Sequence, residues 1–234
     1  MLKTFKIVLI PVDFSVNTEV AVARALNLIG QDDATIYLLH VFRTFPFLNN
    51  TAAYSDCVKK LEEWKASLEE GRKKITVHSR LLESSSVQSG IRATADELRP
   101  DVIVIGQSGV HSHLLSLRKV SPMKLAKATG IPVLTAKPGS MPHKTKTVIV
   151  PVSDTLPASK MQALEVLCQH TKLNIHLITL VNDRSTPSEF SASTLLQMYQ
   201  WLKTSLRCPV EYAVVHGSNK AKAILQYAEK TGAD

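Results

Sequence analysis

The chain of 234 residues is predicted to be an α/β protein, a doubly wound parallel sheet of five strands with helices on both faces, made twice over. Three observations predict it. Short apolar runs alternate with stretches of helical periodicity. The first and fourth runs, KIVLIPV and DVIVIG, are almost unbroken Val, Ile and Leu, as strands covered on both faces require. The opening pattern also starts again 140 residues later.

The elements follow in order. KIVLIPV (6–12) is the first strand, and Asp13 or Ser15 behind it suits the N-cap of a helix near 17–30. ATIYLLHVF (34–42) is the second strand, with a helix near 55–73. ITVHSRLL (75–82) is the third, with a helix near 87–99. DVIVIG (101–106) breaks into a glycine-bearing turn, GQSG, before a helix near 118–129, and IPVLTAK (131–137) closes the set.

KIVLIPVD at 6–13 matches TVIVPVSD at 147–154 with Pro11 over Pro151, and TIYLLHV ending at Val41 matches NIHLITLV ending at Val181. Two matches at one offset indicate an internal duplication, and KPGSMPHKTK (137–146) has the composition of a linker. The expected domains are 1–140 and 141–234. LQYAEKTGAD at 225–234 corresponds to RATADELRPD at 92–101, so the second copy is expected to be incomplete at its C-terminus and the natural protein to continue.

With 44% hydrophobic and 21% charged residues the chain is a folded, globular one. Only six residues, Pro11 among them, separate Lys6 from Asp13, too few for a signal-peptide core or a membrane span. Cys57, Cys168 and Cys208 lack any CxxC spacing and fit thiols of a reducing, cytoplasmic compartment. The formal charge of +8 is concentrated: between Val102 and Lys146 stand Arg118, Lys119, Lys124, Lys127, Lys137, Lys144 and Lys146 with no acid. This run is either a solvated face or the neighbourhood of an anion.

PVDFSVNTEVAVARAL after the first strand, LLHVF ending the second, and VIGQSG followed by a helix and IPVLTAKPG together resemble the universal stress protein family in its tandem, two-domain form. The resemblance covers nearly the whole chain. It implies a Rossmann-like domain of the adenine nucleotide alpha hydrolase type, whose crevice at the strand C-termini can take ATP, with Mg only alongside it, and a role in stress response rather than turnover. The binding set it implies is Pro11, Val12, Asp13, Ser15, Val41, Gly106, Gly109, Lys119, Val120 and Ser121. Asp13 stands where the family contacts the ribose and adenine region, and Val41 where backbone groups contact adenine.

ATP-binding members carry Gly, two residues, Gly, nine residues, then Gly followed by Ser or Thr. Gly106 and Gly109 satisfy the first part, but Lys119 and Val120 stand where the last pair belongs. Lys119 puts a side chain where a glycine amide would approach phosphate, and Val120 removes a hydroxyl. Lys119 also brings a cation beside Arg118, so lost and retained ATP binding both remain open. In the second copy Ser153 takes the Asp13 position and Asp154 follows it, and no ligand is assigned there.

Other chemistry finds little support. His111 and His113 lack a third placed metal ligand; they read as loop residues or phosphate contacts. His40, inside an apolar strand, reads as packing. No GxSxG, GxxxxGK[ST] or HExxH occurs, so no enzyme is expected. Tyr54, Trp64, Tyr199 and Trp201 read as core or interface aromatics, which leaves nucleic-acid binding resting on charge alone. The resemblance implies that the last strand, IPVLTAK, pairs across a two-fold between domains, and with its counterpart in the second copy absent a homodimer is expected. Two functions stand against each other: a nucleotide-responsive module, and a ligand-free interaction module of the same fold.

Overall fold

Burial decides which runs become central strands. In the computed structural model β1 (Ile7–Pro11) and β4 (Val102–Gly106) are buried along almost their whole length, which only positions covered on both faces allow. The structure describes residues 4–30, 32–43, 51–107, 120–137, 146–152, 158–170, 173–181, 189–206 and 208–233. Contacts divide the chain into two units, Thr4–Met141 and Pro142–Asp234.

In the first unit β1 and β4 are joined by β2 (Ala34–Phe42), β3 (Ile75–Glu83) and β5 (Val133–Ala136) in the order β3-β2-β1-β4-β5, every pair parallel. The connections are α1 (Val16–Ile29), α2 (Thr51–Glu69), α3 (Val87–Leu98) and α4 (Pro122–Thr129). Strand alternation sends Leu9, Leu39, Val41, Ile103 and Ile105 into one core with Val87 and Ile91 of α3 and Leu125 of α4. The buried Val8, Ile10, Ile36 and Leu38 take the opposite face.

The helix ends follow local chemistry. Ser86 accepts from the Ser89 amide and Ser121 from the Lys124 amide, capping α3 and α4. Pro122 at the first position of α4 fixes its start four residues after the expected 118. The second helix occupies 51–69 rather than 55–73, and Gly71 follows it at φ 70°.

In the second unit β6 (Thr147–Val152), β7 (Asn174–Val181) and β8 (Val210–His216) form a parallel sheet in the order β6-β7-β8, with α5 (Ala158–His170), α6 (Glu189–Ser205) and α7 (Lys220–Thr231) among the described residues. Its core collects Val150, Met161, Leu164, Ile175, Leu177, Leu195 and Met198.

The duplication is present in the hydrogen bonds, with one change of register. The Thr35 amide donates to the Lys6 carbonyl, and the Asn174 amide donates to the Lys146 carbonyl. Lys146 lies 140 residues after Lys6, but Asn174 lies 139 after Thr35. The counterpart of Val41 is therefore Leu180 and not Val181. A one-residue difference matters because it exchanges the faces of the sheet. The later correspondence keeps its offset of 133: the Ser84 amide bonds the Phe42 carbonyl as the Gly217 amide bonds that of Val181.

Candidate functional site

From β1 the chain runs outward to β2 and β3, then returns to β4 on the other flank of β1. At such a switch point the connections leave in opposite directions and a crevice opens beyond the carboxyl ends of the two strands. Val12 and Asp13 border it on one side, Gly106 and Gln107 on the other.

Asp13 is held by its own turn. Its Oδ1 accepts from the Ser15 amide (3.2 Å), the Ser15 hydroxyl (2.5 Å) and the Thr18 hydroxyl (2.7 Å), and the Asp13 amide donates back to Thr18 Oγ1 (3.2 Å). Thr18 is completely buried. Ser15 occupies the N-cap position of α1, yet its side chain makes no cap bond because its hydroxyl is turned to Asp13. Neither residue is the side-chain cap that the sequence suggests.

Between them Phe14 sits at φ 59°, a left-handed conformation that a bulky residue adopts only when its surroundings impose it. The ring packs on His40 at 4.8 Å between centroids and meets the edge of Trp64 at 6.2 Å. Lys60 Nζ stands 5.7 Å above it. His40 Nδ1 is 2.8 Å from the Val12 carbonyl oxygen, so Nδ1 carries the proton and donates. Burial pushes the His40 imidazole below its ordinary 6.5, against the pull of that carbonyl and of the Asp13 carboxylate, with Lys60 adding to the depression. His40 is thus more than packing.

β1 and β2 stay paired only as far as Pro11 with Leu39, the last rung being the Val12 amide to the Leu39 carbonyl at 2.8 Å. β2 continues beside β3 to Phe42. The amides of Thr35 and Ala34 donate to β1 and β3 sides respectively, so by alternation the amide and carbonyl of Val41 face the β1 side. They lie past the end of that ladder, and among the described residues no hydrogen bond reaches them there. The Val41 side chain is in the core, so close to α3 that a Cβ on Gly90 would come within 2.9 Å of it.

Gly106 ends β4 against the first turn of α1. A Cβ there would stand 2.1 Å from the Asn17 carbonyl oxygen. Packing alone therefore requires a glycine at 106. Val120 is 6% exposed and belongs to the core below α4. Ser121, the cap of α4, donates its amide to Gln88 Oε1 at 3.0 Å. Gly109 and Lys119 lie outside the described residues, as do Arg118, His111, His113, Ser153 and Asp154.

The sequence reading missed Phe14, Thr18 and Asn17. The spacing Asp13, Ser15, Thr18 was a visible signal for the hydroxyl bonds; the left-handed Phe14 and the Asn17 contact had none. A hollow of about 350 Å³ lined by Ser86, Gln88, Ser89, Arg92, Leu125 and Ala128 lies between α3 and α4 and includes none of the residues at the switch point. Among the described residues no group of three or more His, Cys, Asp or Glu could hold a metal ion, and no helix is long and apolar enough to cross a membrane.

Comparison with known proteins decides the family. The model of the Universal stress protein family matches residues 4–137. The chain belongs to the universal stress protein family. A universal stress protein from Archaeoglobus fulgidus is similar in structure at 17% identity, covering 99% of this chain and 85% of its own, with a TM-score of 0.71. A protein of unknown function from Pseudomonas aeruginosa aligns over 99% of this chain and 80% of its own at 18% identity, TM-score 0.58. No curated protein matches by sequence. The universal stress protein fold is thus present in its tandem form, a five-stranded parallel sheet followed by a second, smaller one.

Proposed function

We propose that the first unit binds an adenine nucleotide, ATP with Mg²⁺, and that this universal stress protein is a non-enzymatic, cytoplasmic, nucleotide-responsive module. The observation that carries the reading is the Val41 peptide edge. The amide and carbonyl of Val41 stand beyond the last rung of the β1–β2 ladder, and a strand-edge peptide group without a ladder partner is available to pair with a ligand. An amide donor beside a carbonyl acceptor matches the ring nitrogen and exocyclic amine of adenine, and it lies at the crevice where doubly wound sheets take ligands.

Asp13, turned by Ser15 and Thr18, supplies a carboxylate for ribose hydroxyls, with Pro11 and Val12 as the wall beside it. The phosphates lie toward Gly106, Gly109 and the start of α4, where Ser121 and Lys119 supply a hydroxyl and a cation, and Val120 packs beneath them. Mg²⁺ is held by the phosphates of ATP rather than by a protein cage. Calorimetric titration of Mg-ATP into nucleotide-free protein tests this. Micromolar binding that Asp13→Ala removes, with the circular dichroism unchanged, is the expected result; no heat in the wild type overturns it.

A second reading, a ligand-free interaction module, is favoured by one fact about each of two residues. Gly106 is already required by Asn17, and Asp13 Oδ1 is already satisfied within its turn. On either reading β5, an end strand of the sheet, is the proposed edge of a homodimer. Light scattering at micromolar concentration checks that: twice the chain mass is expected, and a monomer counts against it.

A further inference from the structure

We infer that His40 is a positioning residue that keeps the Val41 peptide edge open by occupying the Val12 carbonyl that would otherwise close it. The inference rests on the nucleotide reading for its purpose but on the ladder geometry for its substance. Continued by one rung, β1 and β2 would join the Val41 amide to the Val12 oxygen, the next acceptor on the β1 side after the Val12 amide has bonded Leu39. That oxygen instead accepts from His40 Nδ1 at 2.8 Å. The imidazole packs against the Phe14 ring, tilted by 32° with centroids 4.8 Å apart, and the Phe14 backbone is left-handed at φ 59° just past the end of β1.

The second unit is an internal control. The register that places Leu180 at the Val41 position places Thr179 at the His40 position and Val152 at the Val12 position. Thr179 has no ring to reach across. There the ladder does run on: β6 and β7 pair through Val152 with Thr179, one residue further than Pro11 with Leu39. Thr179 itself is 3% exposed. The two copies differ at this residue, and they differ in the length of the ladder beside it.

His40→Thr, the residue of the second unit, and His40→Asn, whose amide nitrogen can stand where Nδ1 stands, separate the cases. Amide hydrogen exchange by NMR is read first, without ligand, in the wild type and both variants. In the wild type the Val41 amide exchanges much faster than that of Leu39; in His40→Thr it slows at least tenfold as it takes the freed carbonyl; in His40→Asn it behaves as in the wild type. Adenosine is then titrated. Its affinity falls about tenfold or more in His40→Thr, the size of losing one or two good hydrogen bonds, and is kept in His40→Asn. A wild-type Val41 amide as protected as that of Leu39 overturns the inference even if no variant folds. Unchanged exchange or affinity in a folded His40→Thr also overturns it. If the wild type binds no adenosine, the nucleotide reading fails while the exchange rates still decide the role of His40.

Discussion

A Cβ at Gly106 would lie 2.1 Å from the carbonyl oxygen of Asn17, so the last residue of β4 and the first turn of α1 are fitted to each other through the absence of a side chain. The contact is with backbone, which cannot swing aside. Gly106→Ala is expected to cost about 3 kcal/mol or prevent folding, read as a lower urea midpoint. A stable Gly106→Ala protein would contradict the packing described.

Asp13 has a structural role separable from binding. Asp13→Ala leaves the buried Thr18 hydroxyl without its acceptor and removes both Ser15 bonds, an expected loss of about 1–3 kcal/mol. Asp13→Asn retains Oδ1 as an acceptor, so less than about 1 kcal/mol is lost while the charge is gone. Urea denaturation of the two variants beside Mg-ATP titration distinguishes the turn from the ribose contact: Asp13→Asn should fold nearly as well as the wild type and bind more weakly.

His40 gives the stability an acid limb. Its folded pKa lies below the ordinary 6.5, chiefly through burial. The folded state then favours the neutral ring, so the contribution is present above pH of about 6.5 and lost as pH falls through the lower folded value. The melting temperature of the wild type should drop more between pH 7.5 and 5.5 than that of His40→Asn, which has no proton to gain there. Equal drops would assign the acid sensitivity elsewhere.

Cys168, in the last turn of α5, is a poor nucleophile. Burial, then a hydrogen bond to the Cys208 thiol, pushes its own thiol well above the ordinary range, and Cys208 Sγ lies 3.9 Å from the Cys168 carbonyl oxygen. Iodoacetamide at pH 8 should modify Cys168 much more slowly in native protein than in urea, as followed by mass spectrometry, because the thiolate is the reacting form. Similar rates in the two conditions would contradict this.

The strands were legible because burial on two faces leaves a compositional trace: β1 and β4 are unbroken aliphatic runs and were placed within a residue or two. The duplication was legible from Pro11 over Pro151, but residue identity misplaced the next strand. Val181 matches Val41 by name, whereas the ladder hydrogen bonds select Leu180. Register is set by backbone partners and by which face is buried, and an aliphatic strand offers several equivalent matches to the eye. At the candidate site, Asp13 and Val41 were named from the family pattern. His40 was set aside as packing because nothing in LLHVF says that its ring faces the end of a shorter neighbouring strand. The requirement for Gly106 depends on where α1 crosses β4, and that crossing is a property of the assembled sheet.

The proposed role of the first unit is to hold an adenine nucleotide. The most direct measurement is to denature freshly purified protein, chromatograph the released small molecules, and titrate Mg-ATP into the emptied protein. Close to one adenine nucleotide per chain, or clear micromolar binding on titration, is the predicted result. No nucleotide released and no heat on titration would contradict the claim and leave the ligand-free interaction module as the function of this fold.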